Sequence, residues 1–93
     1  MIAPRLQSAA TTLREWFIRC ALPLWAGPGF DRAIGRFEER LTLKGQPIQD
    51  VPLRLMVQAR QIYVYGLAAR RDWYPDAREV LDLAFAAMVR DFY

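Results

Sequence analysis

Histidine is absent from this sequence. That removes the commonest general base and the commonest metal ligand at neutral pH. Cysteine occurs once, as Cys20, so no internal disulfide can form and no cysteine cluster can hold a metal. Cys20 falls on the apolar face of a predicted helix, where a buried structural thiol is expected. Lysine also occurs once, and twelve arginines scattered among ten acidic residues leave a net charge of +3. A protein that tracks a phosphate backbone gathers its cations into a stripe. No stripe is present, so no nucleic-acid partner is expected. No apolar run reaches the ~20 residues that cross a bilayer, and the N-terminus has no hydrophobic signal core. No membrane partner is expected, and a soluble cytoplasmic protein is. Gly-rich phosphate loops, CxxC, HExxH and the nucleophile elbow are all missing.

What is present is apolar. Hydrophobic residues make up 54 % of the chain, with three Trp, four Tyr and five Phe. Ninety-three residues form one small domain. A chain this short hides only about 60 % of the surface its unfolded form exposes. Uncovered apolar surface is therefore expected, along with a partner or an oligomer contact to cover it.

Residues 5–22 read as an amphipathic helix. Pro4 suits its first turn, and Leu6, Ala9, Ala10, Leu13, Trp16, Phe17, Cys20 and Leu24 share one face. Pro23 ends the helix or kinks its last turn. Residues 23–35 carry two Pro and three Gly and read as irregular. Residues 36–48 have the composition of a short hairpin that turns at Lys44-Gly45 and returns through Gln46-Pro47-Ile48. Asp50 and Pro52 mark the start of a helix over 52–70. Gly66 costs that helix about 1 kcal/mol against Ala, which points to close packing at that position. A third helix opens at Pro75. Its apolar face holds Ala77, Val80, Leu81, Ala84, Phe85, Met88 and Phe92.

The helix over 52–70 differs from the other two. Its polar groups, Arg54, Gln58, Gln61 and the Tyr65 phenol, crowd into a narrow arc, and the rest is apolar or small. Such a helix is expected to be buried on most sides. The exception is Arg60, set among Leu53, Met56, Tyr63, Val64 and Leu67. A guanidinium cannot shed its proton and loses much on leaving water. Arg60 therefore pairs with a buried acceptor, or faces a polar cavity, or the phase of the helix differs from this reading. Tyr63 shares its side, as packing or as a ligand contact. Trp25 and Trp73 are either loop anchors or stacking platforms for a sugar. In Glu38-Glu39, adjacent residues on an extended chain point to opposite faces, so at least one carboxylate should be solvated. The order wet, buried, wet suits a layered α/α array with an inner and an outer row.

Certain segments resemble the N-acylglucosamine 2-epimerase family. They are Ala21-Leu-Pro-Leu-Trp25, Gly29-Phe30-Asp31, Gly35-Arg-Phe-Glu-Glu-Arg-Leu41, Asp50-Val-Pro-Leu-Arg54 and Val57-Gln-Ala-Arg-Gln-Ile-Tyr-Val64, in that order. Gln58-Ala59-Arg60-Gln61 is the most specific part. The family includes mannose isomerases and cellobiose 2-epimerases. The resemblance implies an all-α fold, the first helices of an (α/α)6 barrel with a short β-hairpin between helices 1 and 2. Residues 1–93 would then be an N-terminal, partial domain of that barrel.

The resemblance also implies a sugar substrate, no cofactor and no metal. Proton transfer at C2 runs through an enediolate and is carried by histidines of later helices. Arg60 corresponds to a sugar-binding arginine, and Met56, Tyr63 and Phe37 to residues that line the cavity. No catalytic acid or base is expected within this stretch, so alone it should be inactive. Two positions depart from the family pattern. Arg36 replaces the second Gly of Gly-Gly-Phe, and Met56 stands where Arg or Trp is frequent. The alternative is a self-standing helical interaction module without catalytic activity.

Overall fold

The computed structural model describes residues 3–92. Pro4, at the first helical position, opens α1 (Pro4–Trp16). The helix does not stop before Pro23. It widens into a π-helical segment, Phe17–Ala21, and continues as α2 (Leu22–Ala26). Proline has no N–H to donate, and its ring clashes with the preceding turn. A π widening just ahead of it lets the chain carry on as a helix. The expected end near residue 22 is thus corrected to Ala26.

A two-stranded antiparallel hairpin follows, β1 (Phe30–Asp31) and β2 (Arg36–Phe37), with Phe30 opposite Phe37. It lies partly in the stretch read as irregular. Within 36–48 the structure keeps the turn at Lys44-Gly45 but only a single bridge, between Leu41 and Pro47. The hairpin between helices is therefore real but begins earlier than the alternation suggested. Gly35 turns it at φ +73°, in the left-handed region that glycine tolerates.

α3 (Leu55–Arg70) begins three residues later than expected, and no side chain of Asp50 caps it. The carboxylate of Glu39 supplies the charge instead. One oxygen accepts the Arg54 N–H at 3.3 Å, and the other accepts Arg54 Nε at 2.6 Å. A carboxylate at this end is favoured by the helix dipole. α3 ends in a left-handed Asp72, φ 55°. Trp73 N donates to Ala68 O and Asp72 N to Ala69 O, the bonding pattern of a Schellman motif. α4 (Ala77–Phe92) then folds back along α3.

The core lies between α2, the hairpin, α3 and α4. Phe37, Tyr65, Leu22 and Val80 are its largest fully buried side chains. Phe37 stacks on Tyr65 at 5.3 Å and tilts against Phe30 at 4.8 Å. Ala68, Ala77 and Ala84 leave room for α3 and α4 to approach closely. The hairpin also grips the end of α4. Arg36 and Arg90 both donate to Asp91, and Arg90 reaches Ile34 O at 3.0 Å. Hydrogen bonds from Arg90 and Arg36 hold the Asp91 carboxyl well below the usual carboxylate range.

The wet, buried, wet order is not what forms. α1 has no buried residue, and Leu6, Leu13 and Trp16 are each more than half exposed. Cys20 is exposed as well, because no described element covers that face. α3 buries one side only, through Gln58, Tyr65 and Ala68.

Candidate functional site

The two sides of α3 divide the candidate residues. Its inner side carries the arc read from sequence as polar. Gln58 is buried beside β2. Its amide bonds the Phe37 backbone twice, accepting from N at 2.9 Å and donating to O at 2.8 Å. A side-chain amide thereby does the work of a neighbouring strand. Tyr65 reaches the other way and donates its hydroxyl to Leu22 O at 2.5 Å. That carbonyl is within the helix that the π segment disturbs. Burial pushes the Tyr65 phenol up, and nearby Tyr74 adds to the shift. These polar groups face inward because buried backbone must be satisfied, and α3 supplies the partners.

The outer side of α3 is apolar and open. Arg60 is exposed there and forms no ion pair among the described residues. Asp82, a potential partner, is engaged by Arg78 on its own helix. Met56, one turn before Arg60, is 60 % exposed, and Tyr63, one turn after, is 73 % exposed. At these helical spacings all three share a face. Neither of the two expected surroundings of Arg60, a buried acceptor or an enclosed polar cavity, is present among the described residues. The guanidinium is solvated between a thioether and a phenol ring.

Phe37 is not with them. It is fully buried on the inner side of α3 and borders a cavity of about 70 Å³. That cavity lies between the hairpin and residues 48–53, with Glu38, Asp31 and Gln49 in its wall. Both adjacent glutamates are largely withdrawn from water, Glu38 into this cavity wall and Glu39 at the start of α3. Neither is the solvated carboxylate that the extended-chain argument required. Trp25 and Trp73 both pack against the core, Trp25 from helix α2 rather than from a loop and Trp73 from the turn after α3. Trp73 meets Phe17 edge-on at 6.0 Å, with Arg71 over its ring.

Sequence reasoning missed the Gln58 clamp and the Glu39 contact at the start of α3. The signal for the first was present: two glutamines and a tyrosine hydroxyl spaced along one side of a helix. No group of three or more acidic, cysteine or histidine side chains that could hold a metal occurs among the described residues. Nor is any described helix long and apolar enough to cross a membrane. The described residues bring together an arginine, a thioether and an aromatic ring on one open face. They supply no acid/base pair there.

No family model matches the sequence. No solved structure matches it either. Over 69 residues, 74 % of this chain, the sequence is 44 % identical to a mannose-6-phosphate isomerase of Rhizobium meliloti (strain 1021). The matched part is 18 % of that protein, so the chain spans less than a fifth of the length of the curated relative it resembles.

Proposed function

We propose that these residues are the N-terminal section of a sugar isomerase, specifically of the N-acylglucosamine 2-epimerase type with an (α/α)6 barrel. The observation that carries the reading is the 44 % identity to a protein named as a mannose-6-phosphate isomerase. The open α3 face supports it. Arg60 is solvent-accessible and unengaged among the described residues, with Tyr63 and Met56 beside it.

In this reading the substrate is a hexose, and Arg60 binds its C1–C2 end. Moving a proton at C2 builds negative charge on the sugar oxygens. A fixed guanidinium stabilises that charge more in the enediolate than in the ground state. Tyr63 offers its ring and hydroxyl to the sugar, and Met56 gives an adaptable apolar wall. In this reading histidines move the proton, and this chain has none. The 93 residues alone are therefore inactive in this reading.

The test uses the complete reading frame that contains these residues. Mannose and mannose 6-phosphate are each incubated with the protein in deuterium oxide. Deuterium should appear at C2 of one of them. Arg60→Ala should lower kcat/KM by about 100-fold or more. An intact, folded protein that exchanges neither sugar at C2 would end the proposal. A self-standing interaction module is the second reading, favoured by the uncovered apolar face of α1. It predicts that Arg60→Ala changes nothing.

A further inference from the structure

The side of α3 that faces away from Arg60 is held at two points. Gln58 grips the Phe37 backbone by its N–H and its carbonyl. One turn earlier, Glu39 takes the backbone N–H of Arg54 on one carboxylate oxygen and Arg54 Nε on the other. Arg54 is the residue on which the helix starts, since its carbonyl accepts the N–H groups of Val57 and Gln58. The spacings match. Phe37 and Glu39 are two residues apart, about 6.7 Å on an extended chain. Arg54 and Gln58 are four apart, a rise of about 6 Å on a helix. The chain leaving β2 therefore lies along the first turn of α3 as a splint, fixed to it at both ends. Both fixings are withdrawn from water: Gln58 is 3 % exposed and the Glu39 side chain 4 %.

We infer that this splint sets the rotation of α3 about its own axis, and that Glu39, acting with Gln58, is thereby a positioning residue for Arg60. The inference rests on the proposed role of Arg60 in binding a sugar. Arg60 comes two residues after Gln58, about 200° round the helix. Splint and guanidinium are thus on opposite sides of one element. Arg60 forms no ion pair among the described residues, so its direction is set from behind. Side chains reach about 5–6 Å from a helix axis, and a rotation of about 10° carries them about 1 Å. A misplacement of about 1 Å can cost a reaction about 100-fold. Glu39 is the cleaner of the two to alter. Loss of Gln58 unpairs the backbone of a core residue, whereas Glu39 holds only the start of α3.

A double-mutant cycle in the protein of the complete reading frame tests this, read as kcat/KM for deuterium exchange at C2. Glu39→Ala should lower kcat/KM by about 10-fold or more, through kcat more than through KM, with the helices intact by circular dichroism. Glu39→Gln keeps a carbonyl oxygen for the Arg54 N–H and should stay within about threefold of the wild type. In an Arg60→Ala background, Glu39→Ala should cost less than about threefold more, because the group it positions is gone. A merely structural loss would multiply with the loss of Arg60. Where Glu39→Ala does not fold, Glu39→Asp, one methylene short, takes its place. If neither folds, the contact is a requirement of the fold and the inference fails. It fails also if Glu39→Ala keeps full turnover, if Glu39→Gln does no better, or if the two losses multiply in full. Those outcomes leave the isomerase reading standing. A harmless Arg60→Ala ends the role of Arg60 and this inference with it, and a folded wild-type protein that exchanges neither sugar ends the whole reading.

Discussion

Gln58 holds two backbone groups that no strand reaches. Replacing it with alanine leaves the Phe37 N–H and C=O buried and unpaired, at about 1–3 kcal/mol for each group. Gln58→Ala is therefore expected to lower unfolding free energy by roughly 2–4 kcal/mol. Denaturant unfolding measures it, and a loss well under 1 kcal/mol would mean that water replaces the amide. Tyr65 gives a second expectation, this time in pH. Its phenol is pushed up by burial, so above about pH 10 the unfolded chain loses a proton that the fold retains. The contribution is whole below that pH and is lost as pH rises through the folded value. Tyr65→Phe should cost about 1 kcal/mol at neutral pH through the lost bond to Leu22 O. It should also flatten the alkaline decline in stability. An alkaline limb identical in the two proteins would assign the decline to other groups.

Among the elements, two glycines that look alike in sequence should behave oppositely. Gly35 turns the hairpin at positive φ, and a Cβ there would sit 2.9 Å from Leu83 O and 3.0 Å from the Ala87 Cβ. Gly35→Ala should destabilise by about 2 kcal/mol or more, from backbone strain and from pushing the hairpin off α4. Gly66 was read as a site of close packing. A Cβ there would meet Leu81 at 3.8 Å, an ordinary contact. Gly66→Ala should instead stabilise by about 0.5–1 kcal/mol through helix propensity. Thermal melts of the pair decide it, and equal effects of one sign would refute the assignment.

The same elements show how far the sequence could be read. α4 was legible because Ala77, Val80 and Ala84 recur at helical spacing and all end up buried. α3 was legible as a helix but not in its orientation. Hydropathy ranks Gln58 and Tyr65 as outward-facing, and it cannot know that Phe37 and Leu22 need hydrogen-bond partners. The early hairpin was hidden because two residues per strand show no alternation. Of the candidate residues, Arg60, Met56 and Tyr63 share a face as their spacing requires. Phe37, placed with them by resemblance alone, faces the core.

At the scale of the whole molecule, cooperativity should be uneven. The Cα radius of gyration is 14.6 Å, against about 12 Å for a compact chain of this length. The mass that stretches it is α1, which shares no buried residue with the core. A helix of thirteen residues is marginal in water without packing, so α1 should open far more readily than the body around Tyr65. Opening energies in one protein range from near zero to the global value. Amide hydrogen exchange should therefore show two classes. In α3 and α4, protection should approach that of global unfolding at any protein concentration. Across residues 4–16 it should be low. Leu13→Glu, on the exposed face of α1, should leave the protection of α3 and α4 unchanged. Protection over 4–16 as high as in α3 and α4 would mean that α1 is held to the body, and the two-class description would fail.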